Sequence, residues 1–388
     1  MKSIFSLSVS MLTLLLSCQS NPVAPLQTEI DSISKHWAPD RRTGICNLAL
    51  SNGRGTELIL KGETMFAGAR TKVLQLLSNR GFSVIDSVIL LPDTLHLEKN
   101  WGLITLSVAN MRSKPAHSSE MVSQTILGTP VRILKDGDGW VLVQTPDLYI
   151  GWTNKSAVQQ MSRSEILKWR KSDRLIFDGS AGNIYSDRQR NMVMSDLVAG
   201  AILVKTSEGQ DYATVSLPDG RSGYVSKQNW FSFDHWKDTV ALNANRMIVN
   251  GKQLMGFPYL WGGTSSKGMD CSGFVKTVCF LNGVVLERDA SQQIRHGKEV
   301  DITSGWDKLQ KGDLLFFGSK EPFRVTHVGM YIGGGELIHE SGCVHINSLD
   351  KGKANYNEEL IENLVGARRI IGFSAEQGFW PIRNHPWY

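Results

Sequence analysis

The sequence predicts a multidomain fold: a small αβ segment, two small all-β barrels, and a C-terminal domain of α+β type. Three observations predict it. The chain has 388 residues, more than one core usually fills, since domains run roughly 100–200 residues. Between residues 101 and 233 short β-rich runs alternate with glycine and turn residues, the texture of small barrels. From residue 236 onward helical periodicity comes first and strands follow, an α+β order. Composition agrees with a globular body: 41% hydrophobic residues, 20% charged residues and 11 Trp argue against disorder. After the first twenty residues no apolar run is long enough to span a bilayer. The net charge of +5 is not gathered into a basic block, which leaves nucleic-acid binding without support.

The N-terminus reads as an export signal. Met1-Lys2 supplies a positive start, Ile4 to Leu16 is mostly apolar, and Leu15-Leu16-Ser17-Cys18 closes it with small residues. Polar, turn-rich sequence follows from Gln19 to Pro25. A cysteine in that place resembles a bacterial lipobox, which implies a lipoprotein signal over 1–18, lipid on Cys18, and an exported protein held at a membrane in the periplasm or envelope. The plainer reading is an ordinary secretory signal with an incidental cysteine. The other cysteines, Cys46, Cys271, Cys279 and Cys343, form no C-x-x-C pattern, so neither a disulfide framework nor a zinc ribbon is indicated.

Residues 27–100 form the mixed segment. Thr56 to Leu60 is strand-like, Met65 to Leu77 has helical spacing, and Phe82 to Leu91 is β-rich. No chemistry attaches to it. Residues 101–160 then give L-S-V-A-N-M-R, G-T-P-V-R-I-L, G-W-V-L-V-Q and Y-I-G-W, an order that resembles bacterial SH3-like domains. A fainter second copy occupies 173–233, with Ala199 to Val204, Ala213-Thr214-Val215 and Gly223-Tyr224-Val225 in the same order. Ser162 to Lys171 reads as a helical linker between them.

The C-terminal domain, 236–388, carries the chemistry. Val240 to Met255 has helical periodicity, Gly256 to Gly263 is turn-rich, and Ser272 to Leu281 is apolar enough for a buried helix. Strands are expected at Gly312 to Phe317, Val325 to Ile332 and Glu336 to Glu340. Cys271 falls at the start of the buried helix. There the positive end of the helix dipole and unpaired N–H groups stabilise a thiolate, the attacking form. Asp270 opposes this unless it turns from the sulfur and caps the helix.

His327 lies in a strand whose period-2 alternation puts Val325, His327, Gly329 and Tyr331 on one face. The chain returns through Gly333-Gly334-Gly335 to His339 in a hairpin. A loop with an odd number of residues places His327 and His339 on one face, and a two-residue loop places them on opposite faces. Chemistry calls for the odd loop, with His327 as general base for Cys271 and His339 orienting the imidazole. Taken singly, each residue has a structural alternative: a buried thiol or a core histidine. Cys279 and Cys343 read as packing residues, with a disulfide between them as the other possibility. A zinc site from Cys271, His327 and His339 lacks paired-ligand spacing.

P-Y-L-W-G-G at 258–263, D-C-S-G-F at 270–274, R-D-A-S-Q-Q at 288–293, G-D-L-L-F-F at 312–317, T-H-V-G-M-Y-I-G at 326–333 and L-I-H-E-S at 337–341 together resemble the NlpC family of cell-wall endopeptidases. The resemblance covers essentially all of the last 150 or so residues. It implies a papain-like core with Cys271 as nucleophile, His327 as base, His339 as third polar residue and Tyr259 as a phenol near the oxyanion position. It implies no cofactor and no metal. The implied substrates are peptidoglycan stem peptides, cut between γ-linked D-glutamate and a diamino acid, lysine or diaminopimelate. SH3-like modules ahead of this core are similar to endopeptidases of the recycling type, which take stems with a free N-terminal L-alanine. A buried ammonium needs carboxylates; Asp289 and Glu120 match that role, and Tyr149 could add a hydroxyl. Glu120 and Tyr149 could equally be a solvated acid and a barrel tyrosine. Ser272 and Asp270 are further candidates for substrate contact. A monomer is expected. Alternatives from other classes are a cell-wall-binding protein working through its SH3-like pair, and an acyltransferase or amidase on the same core.

Overall fold

A computed structural model describes residues 23–54 and 57–388. The export signal over 1–18 and Cys18 lie outside the described residues. The chain divides into two compact units, one from residues up to 39 with 46–89, the other from 40–45 with 90–388.

The first unit contains helix α1 (Val23–Trp37), strands β1 (Cys46–Asn52) and β2 (Glu57–Thr64), helix α2 (Ala67–Asn79) and strand β3 (Ser83–Leu90), with the sheet in the order β1-β2-β3. Cys46, Leu48 and Leu50 alternate inward and meet Leu26 and Ile30 of α1 and Val73 and Leu77 of α2. The expected strand, helix and strand match β2, α2 and β3; α1 and β1 went unread. Pro25 made the start of α1 look like a turn, yet in a helix's first turn the missing N–H removes no hydrogen bond. The expected 27–100 boundary needs a second correction. Residues 40–45 belong to the other unit, where the Arg42 carbonyl accepts from Ile150 N (2.8 Å) and the Thr43 carbonyl accepts from Gln144 Nε2 (3.1 Å).

In the second unit, strands β4 (Trp101–Ile104), β5 (Val108–Arg112), β6 (Met121–Ile126), β7 (Pro130–Asp136), β8 (Trp140–Gln144), β9 (Ile150–Asn154) and β10 (Val158–Met161) join in the order β10-β4-β7-β8-β9-β5-β6. Helix α3 (Arg163–Arg170) follows, capped by Ser162 and Glu165 in a reciprocal capping box. Then come β11 (Arg174–Phe177), β12 (Ala181–Tyr185), β13 (Val193–Val198), β14 (Ile202–Glu208), β15 (Tyr212–Ser216), β16 (Ser222–Ser226) and β17 (Trp230–Ser232), in the order β13-β12-β16-β15-β14-β11-β17. Read from β17 this is the first sheet's order strand for strand. Leu103 of the first sheet, Ile202 of the second, and Trp236, Val285 and Tyr388 of the C-terminal part share one hydrophobic cluster. Each such side chain contributes roughly 1.5–3 kcal/mol by leaving water.

The C-terminal part holds α4 (Phe233–Thr239), α5 (Ala244–Gln253), the small hairpin β18 (Thr264–Ser265) and β19 (Gly268–Met269), α6 (Cys271–Leu281), β20 (Val284–Leu286), α7 (Ala290–Gln293), β21 (Lys298–Glu299), β22 (Leu314–Ser319), β23 (Arg324–Gly333), β24 (Glu336–Ser341), β25 (Cys343–Ser348), α8 (Glu358–Glu362), β26 (Leu364–Arg369) and β27 (Phe379–Pro381). The main sheet runs β21-β26-β22-β23-β24-β25. Phe274, Val275, Val278 and Cys279 of α6 pack on Leu314, Phe316, Val328, Met330, Ile338 and Val344 from one face of that sheet. Leu315, Phe317, Tyr331 and Leu337 form a second cluster. Cys279 and Cys343 are unpaired, which removes the disulfide alternative.

Two details of β23 differ from the sequence reading. Phe317 pairs with His327 but Gly318 pairs with Val325, so Thr326 is the extra residue of a bulge. The bulge returns Val325 to the α6 cluster rather than to the face of His327. At the hairpin, Gly334-Gly335 is a two-residue loop with positive φ at both residues, the form that suits strand twist. Such a loop alone would set His327 and His339 on opposite faces. A second bulge, with Ile332 between the pairs Tyr331↔Leu337 and Gly333↔Glu336, supplies the odd residue and brings His339 opposite Gly329. The parity the chemistry calls for is met in the strand and not in the loop.

Helix α6 owes its close seat to Gly273, where a Cβ would stand 2.0 Å from the Gly263 carbonyl oxygen. Because the opposing atom is backbone, Gly273→Ala should destabilise the protein by about 1–3 kcal/mol, read as a lowered Tm; an unchanged Tm would show that the 258–263 loop yields freely.

Candidate active site

The N-terminus of α6 is organised by a buried ion pair. Asp270 is the N-cap: its Oδ1 accepts from Gly273 N (2.8 Å) and Ser272 Oγ (3.1 Å), and its Oδ2 accepts from Gly262 N (3.0 Å). Arg288, 1% exposed, donates Nη1 to Oδ1 at 3.0 Å and Nη2 to Oδ2 at 2.5 Å, and also reaches Ser272 Oγ at 2.9 Å. The expected capping by Asp270 is therefore present. The Ser272 hydroxyl is committed to this cluster, while the residue still lines the cleft.

Cys271 is the first residue of α6 and is 6% exposed. Burial, followed by the charge of Asp270, pushes its thiol up to about 12, against the pull of the Val328 and Ser272 amides and of Arg288. The helix N-terminus thus does not yield a resting thiolate. The Val328 amide that faces the sulfur belongs to the residue after His327.

Three side chains follow in a row from His327. His327 Nε2 lies 2.8 Å from His339 Nδ1, and His339 Nε2 lies 2.8 Å from Asn347 Oδ1. Asn347 Nδ2 donates to the Asn355 carbonyl (2.9 Å), which orients the amide and makes Oδ1 the acceptor. His339 must then carry its proton on Nε2 and accept from His327 Nε2–H, leaving His327 Nδ1 bare. Burial, then His339 and His345, hold His327 down at about 3, and burial holds His339 down at about 4. Both rings are neutral near neutral pH. Asn347 and His345 were not anticipated. His345 Nε2 lies 3.0 Å from Asn347 Oδ1, and its Nδ1 lies 2.8 Å from the Cys343 carbonyl oxygen. The alternation V-H-I-N in β25 would have put both on the face of His339, had that strand been read.

One cleft is lined by Cys271, Asp270, Ser272, Tyr259, Asp289, Tyr149 and Glu120, seven of the candidate residues, together with Arg42, Trp261 and Arg288. His327 and His339 line an adjoining hollow that shares Arg324 and Thr326 with it. The Tyr149 hydroxyl donates to Asp289 Oδ2 (3.2 Å). Glu120 Oε1 accepts from Trp261 Nε1 (3.0 Å). The Tyr259 phenol is pushed up to about 12 by burial and by Cys271 and Asp270.

A matching family model described as "NlpC/P60 family" covers residues 256–363, and one described as "Bacterial dipeptidyl-peptidase Sh3 domain" covers 111–158. The chain is 30% identical over 226 residues to the Gamma-D-glutamyl-L-lysine dipeptidyl-peptidase of Bacillus subtilis, covering 56% of this chain and 71% of that relative. It is 29% identical over 278 residues to the Dipeptidyl-peptidase 6 of Lysinibacillus sphaericus, covering 68% and 97%. A crystal structure of an NlpC/P60 family protein from Bacillus cereus superposes with a TM-score of 0.60 at 25% identity, over 70% of this chain and 99% of that one.

Glu340 follows His339 on β24, is fully buried, and neither carboxyl oxygen has a hydrogen-bond partner among the described residues. Burial, then Asp270, raises it from 4.5 to about 7. Since the fold holds this proton more tightly than the unfolded chain does, stability is present below the unfolded value and falls as pH rises toward about 7. Glu340→Gln should therefore raise Tm by a few degrees at pH 8.5, with the gain gone at pH 4; equal gains at both values would rule out ionisation as the cause.

Proposed function

Because the chain belongs to the NlpC/P60 family of peptidoglycan hydrolases, we propose that it is a cysteine peptidase in which Cys271 attacks the side-chain carbonyl of γ-linked D-glutamate and releases an L-diamino acid, lysine or diaminopimelate, from stem peptides with a free N-terminal L-alanine. The observation that carries the reading is the His327–His339–Asn347 row, whose hydrogen-bond directions leave one base nitrogen bare. With both a neutral thiol and a neutral imidazole at rest, proton transfer to His327 Nδ1 accompanies attack by the Cys271 sulfur. The tetrahedral intermediate collapses to a thioester as the leaving amine takes the proton. Water activated by the same imidazole then attacks the thioester, returning the acid and the thiol. Tyr259, at the cleft beside Cys271 and with a phenol that keeps its proton, is suited to donate to the developing oxyanion.

Asp289, Tyr149 and Glu120 support the free-alanine requirement, since two carboxylates and a hydroxyl on one cleft wall match the needs of a desolvated ammonium. We carry export and lipid attachment at Cys18 as part of the same reading, supported by the segment Leu15-Leu16-Ser17-Cys18.

Three tests bear on this. Mass spectrometry should detect lysine released from L-Ala-γ-D-Glu-L-Lys by the wild type, no release by Cys271→Ala, and a drop of about tenfold or more in kcat for Asn347→Ala. The N-acetylated peptide should be cut far more slowly than the free one; equal rates would remove the ammonium reading and leave the peptidase reading standing. For export, labelled palmitate should enter the wild type and not Cys18→Ala in cells; label in both would place the lipid elsewhere, and label in neither would remove it.

A further inference from the structure

We propose that Arg42 is a specificity-determining residue of the cleft: its guanidinium sits on Asp289 as a built-in surrogate for the peptide's ammonium, which must displace one guanidinium nitrogen in order to bind. The proposal rests on the reading of Asp289 as an ammonium ligand and deepens it.

Arg42 enters from the 40–45 segment, fixed to the end of β9 through its own carbonyl and Ile150 N (2.8 Å). Its guanidinium is held along two edges. Nε and Nη2 form a fork on Asp40, at 2.8 Å to Oδ1 and 2.7 Å to Oδ2. Nη1 donates to Asp289 Oδ2 at 2.8 Å and to Ser291 Oγ at 2.9 Å. The oxygen it takes is also the one that receives the Tyr149 hydroxyl, so cation and phenol already occupy the place an alanine ammonium would seek. Among the described residues no other cation does this. Arg288 lies 3.9 Å from Asp289 and is committed to Asp270, and Arg295 faces Asp40 (3.5 Å) and Glu287.

The division of the guanidinium makes exchange feasible. The fork on Asp40 is local, between residues two apart, and survives when Nη1 leaves Asp289. Asp40 is also held from its other side by Gln292 Nε2 (3.0 Å), so the released guanidinium keeps an anion. Glu120, which lines the same cleft, offers an arriving ammonium a second carboxylate besides Asp289. At Asp289 the ammonium gains only the difference between its own pairing and that of Arg42. A peptide whose amino end is acylated brings no cation, cannot displace Nη1, and meets Asp289 already satisfied. Arg42 thus lowers the affinity for the correct peptide and at the same time keeps Asp289 from being an unpaired charge when the cleft is empty.

The experiment measures Kd by calorimetry in the Cys271→Ala background, so turnover does not enter. Arg42→Gln should tighten binding of L-Ala-γ-D-Glu-L-Lys by about three- to tenfold and widen its preference over the N-acetylated peptide by a similar factor. Weaker binding of the free peptide, or an unchanged preference, overturns the proposal. Asp289→Asn separates the two layers: if it leaves the preference intact, the ammonium reading fails; if it abolishes the preference while Arg42→Gln does not widen it, only the Arg42 proposal fails. Should Arg42→Gln melt below the assay temperature, Arg42→Lys takes its place. A lysine ammonium held by Asp40 cannot make the fork and also keep both Nη1 bonds, so tightening of the same sign is expected, and looser binding overturns the proposal.

Discussion

The Asp270–Arg288 pair is the constraint on which the active site depends. A single carboxylate caps the helix that begins with Cys271, receives the Gly262 amide of the preceding loop, and fixes the arginine whose neighbour in sequence is Asp289. Removing either partner would leave the other charge buried and uncompensated, which typically costs about 3–5 kcal/mol. The pair sets the chemistry as well as the geometry. Burial and the negative charge of Asp270 raise the Cys271 thiol, so on the proposed mechanism nucleophilicity is generated at the moment of attack, by an imidazole that burial holds low.

Much of this was legible in the sequence because the signals were local. Cys271 before an apolar helix, His327 and His339 in flanking strands, and Asp270 as a cap each follow from neighbours within a few positions. The order of strands in the two β-rich segments was legible for the same reason. What stayed hidden depends on contacts far apart in the chain or on single inserted residues. Asn347 lies on a strand whose alternation is short, and its role appears only once β25 pairs with β24. The bulges at Thr326 and Ile332 leave no mark in composition, yet each turns the strand over. Arg42 is separated from Asp289 by a whole pair of β domains, and it sits in a stretch that continues on both sides into another compact unit.

The cleft draws its two functions from different parts of the chain. On the proposed mechanism, bond cleavage is provided for by α6 and the β23–β25 strands, all within the C-terminal part. On the same proposal, selection of the peptide end falls to Glu120 and Tyr149, each one residue ahead of a strand of the first seven-stranded sheet, to Asp289 at the start of α7, and to Arg42. Such a division lets specificity change through wall residues without disturbing the base and its orienting partners, since substitutions in separate contact networks add nearly independently.

The second seven-stranded sheet repeats the strand order of the first but contributes no side chain to the cleft. Two sheets of one strand order are therefore under unequal physical constraint. The first sheet borders the cleft, while the second packs against Trp236, Val285 and Tyr388. Substitutions in the second sheet are tolerated wherever volume and hydrophobicity are kept, which leaves physical room for a fainter sequence pattern on the same architecture.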